Sequence, residues 1–577
     1  MNTTQFQKEQ VKAKRTFLPK DLEIKSWDSL APYFDQLLSA AITDLNDLRV
    51  WLDRQSELEA ILMEDMAWRY IRMTSDTAHE GYRNSFQNFI KEVQPQAAAM
   101  GDKLNRKLIE LPFIDELNDP AFQLYKRKIQ SSIRIFREEN LQLLTEEASL
   151  QRQYGEIQGA MSVNYEGKEL TMPQASDLLR QSDRAIREQV YHAIQERRLA
   201  DADELDQLFD DLLKLRQQIA LQADFPNYSA YKFQALGRFD YGIDECLRFH
   251  ESVKTLVVPM LDELAVFRKQ QLGLSKLRPY DLAVDLFAKS PLLPFDSVEQ
   301  LTERTAVVFG RVDPYFEECL RCLQTIGQLD LGSRLAKAPG GYNYPLMETG
   351  APFIFMNATS NLRDMVTLLH EGGHAVHSFL SKDLKLTTYK LFPSEIAELA
   401  SMGMELITMD HWDVFFPVQA DLRRAKFQHL EQIIQTLPWV ATIDKFQHWI
   451  YQHPGHSVTE RHMVWEAIFH EFCDNQQDFS NLEHFRRISW QKQLHLYEVP
   501  FYYIEYGIAQ LGAIALWKNY REQPAETIKA YKQALALGYT KSIPELYHHA
   551  GIQFDFSPGY IKELMDFVMK ELRLLTR

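Results

Sequence analysis

From about residue 22 to residue 160, apolar residues recur at helical spacing almost without interruption. Leu30, Phe34, Leu37, Leu38 and Ala41 form one stripe, and Trp51, Leu58, Ile61 and Leu62 begin another. Charged residues fill the remaining faces and no catalytic motif falls among them, so these helices read as scaffold or lid. The pattern breaks at Val163–Thr171, where a short run turning at Glu166-Gly167 predicts a β-hairpin. Helical spacing resumes after Pro173. A boundary near residue 200 divides the chain into an N-terminal helical lobe over 1–200 and a second domain over 201–577, with no Pro/Gly/Ser-rich linker between them.

Downstream, Pro291, Pro294 and Asp296 mark a loop, and Pro339-Gly340-Gly341-Tyr342-Asn343-Tyr344 forms a tyrosine-bearing Gly-rich loop. That loop lacks the Lys-Ser/Thr ending of a phosphate cradle. It reads as a flap over a ligand or as a plain connecting turn, with Tyr342 and Tyr344 as candidate binding residues. Phe353–Ala358 is a short apolar run that predicts a buried or edge strand. Thr359, Ser360 and Asn361 are helix caps, after which Leu362, Val366 and Leu369 lead into His370-Glu371-Gly372-Gly373-His374.

This is the pattern H-E-x-x-H. Histidines four apart on a helix share a face, so His370 and His374 can address one metal ion, and Glu371 lies beside it as a base. With His at 17 of 577 residues, chance produces the pattern in roughly a few per cent of chains this long. Gly372 and Gly373 each cost a helix about 1 kcal/mol relative to alanine. Their presence predicts another helix, or a substrate backbone, packed closely against them.

A zinc site of this kind needs a third protein ligand. Pro393 and Ser394 open a helix whose stripe is Ile396, Leu399, Gly403 and Leu406, and Glu395, Glu398 and Glu405 are its candidate carboxylates. Glu398 and Glu405, seven apart, share a face. Further on, His495 precedes Tyr502, Tyr503 and Tyr506. Phenols three apart can both reach a developing oxyanion, although an aromatic helix in a core has the same spacing.

The motif His370–His377, together with Ala397-Glu398-Leu399-Ala400-Ser401 and Glu405, resembles the thimet oligopeptidase and oligoendopeptidase F family of zinc metallopeptidases, in particular its bacterial Pz-peptidase branch. The resemblance implies a mainly α fold: a zincin-like catalytic domain with a small β-sheet, and helical lobes enclosing a deep substrate channel. The catalytic domain is then the 201–577 segment. It also implies one Zn²⁺ per chain on His370, His374 and Glu398, with Glu371 as general base and Glu405 behind the ligands. His377, three residues past His374 and so near the metal face, reads as a second support behind the ligands or as a packed core residue. His495 and the tyrosines would hold substrate and oxyanion, with either Tyr502 or Tyr503 acting beside Tyr506. Phe355, Asn357 and Ala358 would offer a strand edge to an extended peptide. The implied activity is zinc-dependent endopeptidase hydrolysis of short unstructured peptides. The alternatives are a dipeptidyl carboxypeptidase-type exopeptidase and a non-catalytic peptide-binding protein of the same fold.

Composition narrows the partners. Against 64 basic residues stand 80 acidic ones, a net charge of -16 that disfavours nucleic acid and anionic membrane. Met1–Lys8 has no apolar core of a secretory signal, and the apolar stretch Phe501–Trp517 is broken by Glu505 and Gln510. A cytoplasmic protein is expected, with a monomer favoured. Four cysteines make no disulfide framework, and Cys319-Leu320-Arg321-Cys322 reads as a helical pair of structural thiols.

Overall fold

The computed structural model describes residues 15–288 and 290–576, so the reading of Met1–Lys8 lies outside the described residues. The fold is mainly helical with two small sheets. In chain order, the elements that matter for function begin with α1 (Leu45–Ser75), the hairpin β1 (Ser162–Tyr165) and β2 (Lys168–Thr171), and α2 (Ile243–Leu256). Then come α3 (Val298–Val312), α4 (Pro314–Thr325), β3 (Leu329–Gly332), β4 (Tyr342–Tyr344) and β5 (Phe353–Ala358). Last are α5 (Leu362–Ser381), α6 (Ser394–Thr408), α7 (Gln419–Gln452) and α8 (Tyr503–Glu522).

Two compact units share the chain, each drawing on three separated stretches. The first takes residues up to 136, 292–422 and 509–554; the second takes 137–291, 423–508 and 555 onward. Residue 200 falls inside the second unit.

In the first unit, Asp44 caps α1 by accepting from the backbone N–H groups of Asn46 and Asp47. Leu30, Phe34, Leu37, Trp51, Leu58 and Ile61 of the predicted stripes are buried together in one core. The three-stranded sheet runs β3-β5-β4, with β3 parallel and β4 antiparallel to β5. β5 is therefore the central strand, as its unbroken buried run Phe353–Met356 requires. Asn361 starts α5 by a reciprocal cap: its side chain accepts from the Asp364 N–H at 3.0 Å, and the Asp364 carboxylate accepts from the Asn361 N–H at 3.3 Å. Cys319 and Cys322 are buried thiols on α4.

In the second unit, the hairpin pairs Val163 with Leu170 and turns at Glu166 and Gly167, both at positive φ (51° and 78°), the geometry of a two-residue β-turn. Its core stacks large rings, with Phe446 5.1 Å from Trp465 and Trp490 5.8 Å from Tyr497 between centroids. Among the described residues no helix is long and apolar enough to cross a membrane.

Candidate metal centre

α5 and α6 bring the motif together in the first unit. His370 Nε2 lies 3.3 Å and His374 Nε2 3.9 Å from Glu398 Oε2, and the two imidazoles stand edge to face at 4.9 Å. All three donor atoms fall within 4.8 Å of one another. On the far side of the first imidazole, His370 Nδ1 is 2.6 Å from Glu405 Oε1. That bond fixes the ring and leaves Nε2 facing Glu398. His374 is held by the Ala397 carbonyl, and the Ser401 hydroxyl donates to Glu398 Oε2 at 3.2 Å.

The two glycines explain how the helices come this close. A Cβ on Gly373 would stand 2.6 Å from the Ala400 carbonyl oxygen, and one on Gly372 would stand 2.5 Å from the Phe309 ring of α3. Of the two occupants their presence predicted, the structure places neighbouring helices there.

The electrostatics suit a cation. Burial alone would raise the Glu398 carboxyl, but the hydrogen bond to His370 and the nearby imidazoles outweigh it and hold it at about 2. Burial lowers His374 to about 4, keeping it neutral and able to ligate. His370 feels the same burial, yet Glu398 and Glu405 outweigh it and raise its pKa well above the usual value. Burial pushes Glu371 up to about 7; Glu398 and Glu405 add to this, and charged His370 opposes it. Donor atoms around a tetrahedral zinc with bonds of about 2.0–2.2 Å stand roughly 3.3–3.6 Å apart. Two imidazoles and a carboxylate at 3.3 and 3.9 Å fit that ion.

Of the three glutamates left open by the sequence pattern, Glu398 joins the histidines, Glu405 supports one of them, and Glu395 is buried outside the group. His377 does not support a ligand. It is fully buried, stacks on Phe392 at 3.5 Å, and neither ring nitrogen has a hydrogen-bond partner. Burial and the nearby His374 keep it well below the usual imidazole range, so it packs as a neutral ring.

The strand and loop residues also need correction. Residues 353–355 have β4 on one side, and Ile354 and Phe355 have β3 on the other, so this part of β5 offers no edge to a peptide. Phe355 is buried and stacks on Tyr342 at 4.7 Å. The Tyr342 hydroxyl is 2.6 Å from that of Thr74 on α1, which pins the expected flap to the scaffold. Tyr344, half-buried, packs 5.7 Å from Tyr70. Asn357 and Ala358, both half-buried, lie past the end of the β4 register.

Sequence reasoning passed over Asn343, which lies between those tyrosines. Its side chain donates to the Glu371 backbone carbonyl at 3.1 Å, and its own N–H faces the Glu371 carboxylate. The available signal was its position in a strand paired with the one that leads into the motif helix.

In the second unit, the His495 ring lies 4.7 Å from Tyr503, 5.8 Å from Tyr506 and 6.1 Å from Tyr502. Tyr502 and Tyr506 stand 5.3 Å apart. Gln493 holds His495 Nδ1 at 2.7 Å. Burial pushes the Tyr503 phenol up to about 12, and hydrogen bonds with Trp439 and Gln493 partly offset this. Tyr503 lines a cavity of about 570 Å³ within this unit. Its hydroxyl is thus engaged locally.

Comparison with known proteins agrees with this geometry. Residues 17–136 match the model of the peptidase M3 N-terminal domain, and residues 178–566 match that of peptidase family M3. Group B oligopeptidase PepB of Streptococcus agalactiae serotype III (strain NEM316) is 23% identical over 378 residues, 64% of this chain and 60% of that protein. An oligoendopeptidase F homolog of Lactococcus lactis subsp. lactis (strain IL1403) is 23% identical over 331 residues, 55% of this chain and 53% of that one. The alignments therefore span between half and two thirds of these curated relatives. The solved structure of Pz peptidase A with inhibitor 2 superposes with a TM-score of 0.89 at 26% identity, covering 97% of this chain and 99% of that one. Both parts of the family occur here in order, the larger carrying the histidine and glutamate helices, and the chain belongs to peptidase family M3.

Proposed function

We propose that this protein is a zinc-dependent endopeptidase acting on short unstructured peptides. The carrying observation is that His370, His374 and Glu398 converge with Glu371 next to the first of them, and that Glu405 holds the His370 imidazole from behind. His370, His374 and Glu398 would hold the zinc. When bound, the metal supplies Lewis-acid chemistry, polarising the scissile carbonyl and acidifying a water beside it.

The remaining steps belong to the chain. Glu371 takes the proton of the attacking water on its carboxylate and delivers it to the departing amine nitrogen. The Asn343 N–H holds that carboxylate in place between the two transfers. From the family resemblance we assign to Tyr506, and to either Tyr502 or Tyr503 beside it, hydrogen-bond donation to the carbonyl oxygen as charge develops there, with His495 orienting the substrate. On the β4 side Asn357 is the residue of β5 beyond the register that could meet a peptide backbone, since Ala358 already pairs with Gly332 of β3, and such pairing tolerates many sequences.

An internally quenched peptide blocked at both ends tests this. The parent cleaves it, and Glu371→Gln lowers turnover about 100- to 10,000-fold while metal content, measured by mass spectrometry, stays at the parent level. Near-parent turnover in the variant rejects the base. Failure to cleave any end-blocked peptide, with free-ended ones still shortened, moves the assignment to the exopeptidase.

A further inference from the structure

A different donor set forms in the second unit, where no motif announced one. α2 carries Cys246 and His250, four residues apart, and α7 carries Asp444 and His448, also four apart, so each helix presents its pair on one face. Cys246 Sγ, an Asp444 carboxylate oxygen and a His448 ring nitrogen lie within 4.8 Å of one another. His250 Nε2 is 2.8 Å from Asp444 Oδ2. His448 Nε2 approaches the same oxygen at 3.3 Å without hydrogen-bond geometry. All four residues are buried.

Protein hydrogen bonds leave this set unfinished. Asp444 Oδ1, Nδ1 of His448 and Nδ1 of His250 have no partner, and His448 Nε2 has only its approach to Asp444 Oδ2. A single unmatched buried polar atom costs about 1–3 kcal/mol, and three of them in one place call for a ligand. A dication answers the charge as well as the geometry. A Cys246 thiolate and the Asp444 carboxylate together balance two positive charges, and the imidazoles stay neutral. The nearby cations are already matched, Arg238 by Glu505 at 2.9 Å and Lys445 by Glu471 at 2.7 Å.

We propose that Cys246, Asp444 and His448 bind a second divalent metal ion of the zinc class, with His250 orienting the carboxylate. Thiolate, imidazole and carboxylate together are a donor set for zinc rather than for magnesium or calcium. Zinc–ligand bonds of about 2.0–2.3 Å place donors roughly 3.3–3.8 Å apart, so the atoms need close by only about 1 Å. Burial and Asp444 raise the Cys246 thiol well above its usual pKa, so metal entry releases its proton.

The ion would tie α2 to α7 and steady the backbone that enters α8. The His448 ring packs 5.1 Å from Phe501, whose backbone turns at φ 66° immediately before Tyr502. The neighbouring Gln447 accepts from the Phe501 N–H at 2.6 Å. The site therefore anchors the turn that leads into the tyrosine cluster.

The test is metal stoichiometry on the full chain, expressed without a chelating tag in zinc-supplemented medium and desalted into metal-free buffer. Two zinc ions per chain are expected in the parent and one in His370→Ala/His374→Ala. One is also expected in Cys246→Ser/His448→Ala. A parent holding one ion, lost completely in the motif variant, overturns the proposal. Should the Cys246→Ser/His448→Ala chain fail to fold, cobalt substitution of the parent decides. The motif group has no sulfur, so a thiolate-to-cobalt charge-transfer band supports the second site when Cys246→Ser alone removes it. Absence of that band in cobalt-loaded parent, or its survival in Cys246→Ser, overturns the site.

Discussion

The His370–His374–Glu398 group and the Cys246–Asp444–His448 group use the same device, helical residues four apart completed from a second helix, and they differ in access. The imidazoles of the first are 21% and 18% exposed and its carboxylate 8%. In the second, Asp444 and His448 are 0% and 2% exposed. Zinc sites that react keep a position open to solvent or substrate, and structural sites are closed. The comparison therefore separates a group partly open to solvent from one enclosed by packed helices. Both neighbourhoods use glycine for close packing: Gly372 and Gly373 admit α3 and α6 beside the first group, and Gly507 of α8 fits against Phe249 of α2 and Val440 of α7 beside the second.

The sharpest way to break the comparison is to push α5 and α6 apart. In Gly373→Val the new side chain meets the Ala400 carbonyl and the Ser401 backbone at distances no side chain tolerates. Overpacking of this kind costs about 1–3 kcal/mol. We expect a lower denaturant midpoint and loss of the motif metal, with the second group's metal retained. A variant that keeps both ions at parent affinity shows that the close helix contact does not set the first site.

The next effect is smaller and symmetrical. Glu405 supports His370 from behind, and His250 supports Asp444. Removing such a support lowers metal affinity about 10- to 100-fold. Glu405→Ala should weaken only the ion bound by the motif group, and His250→Phe only the other, as read by competition with a chromophoric chelator. If either substitution weakens both ions equally, the two groups are not independent.

The difference between the groups also accounts for what the sequence disclosed. His370, Glu371 and His374 fall within a single helical turn or so, and Glu398 and Glu405 share the next long helix, so local spacing exposes them. The same is true of the turn at Glu166-Gly167, where two residues carry the whole signal. Cys246 and Asp444 meet only because α2 packs on α7 nearly 200 residues later in the chain, and no periodicity reports such a partner. β5 was legible as a buried strand, but its neighbours were not: the short β3 gives no pattern of its own, and only its pairing together with that of β4 shows that Ile354 and Phe355 have no free edge. The sequence leaves His377 open between a support for the ligands and a packed core residue, and spacing alone does not choose. It lies three residues past His374 and so close to its face, but the stack on Phe392 carries its ring into the core.

The smallest prediction concerns Ser401, whose hydroxyl donates to the same Glu398 oxygen that both histidines approach. When a metal shares that oxygen, the hydroxyl withdraws electron density from it but also keeps the carboxylate from rotating out of line. Because Ser401 is buried, water cannot replace it, so Ser401→Ala removes the bond outright. A single hydrogen bond to a charged group contributes about 1.5–3 kcal/mol, but here part of that is returned because the carboxylate binds the metal more strongly once relieved of the donor. The net expectation is up to about a tenfold loss of metal affinity, below that of Glu405→Ala, with turnover at saturating zinc within a few fold of the parent. Tighter metal binding in Ser401→Ala would mean that the lost donor had been competing with the ion for Glu398 rather than aiming it.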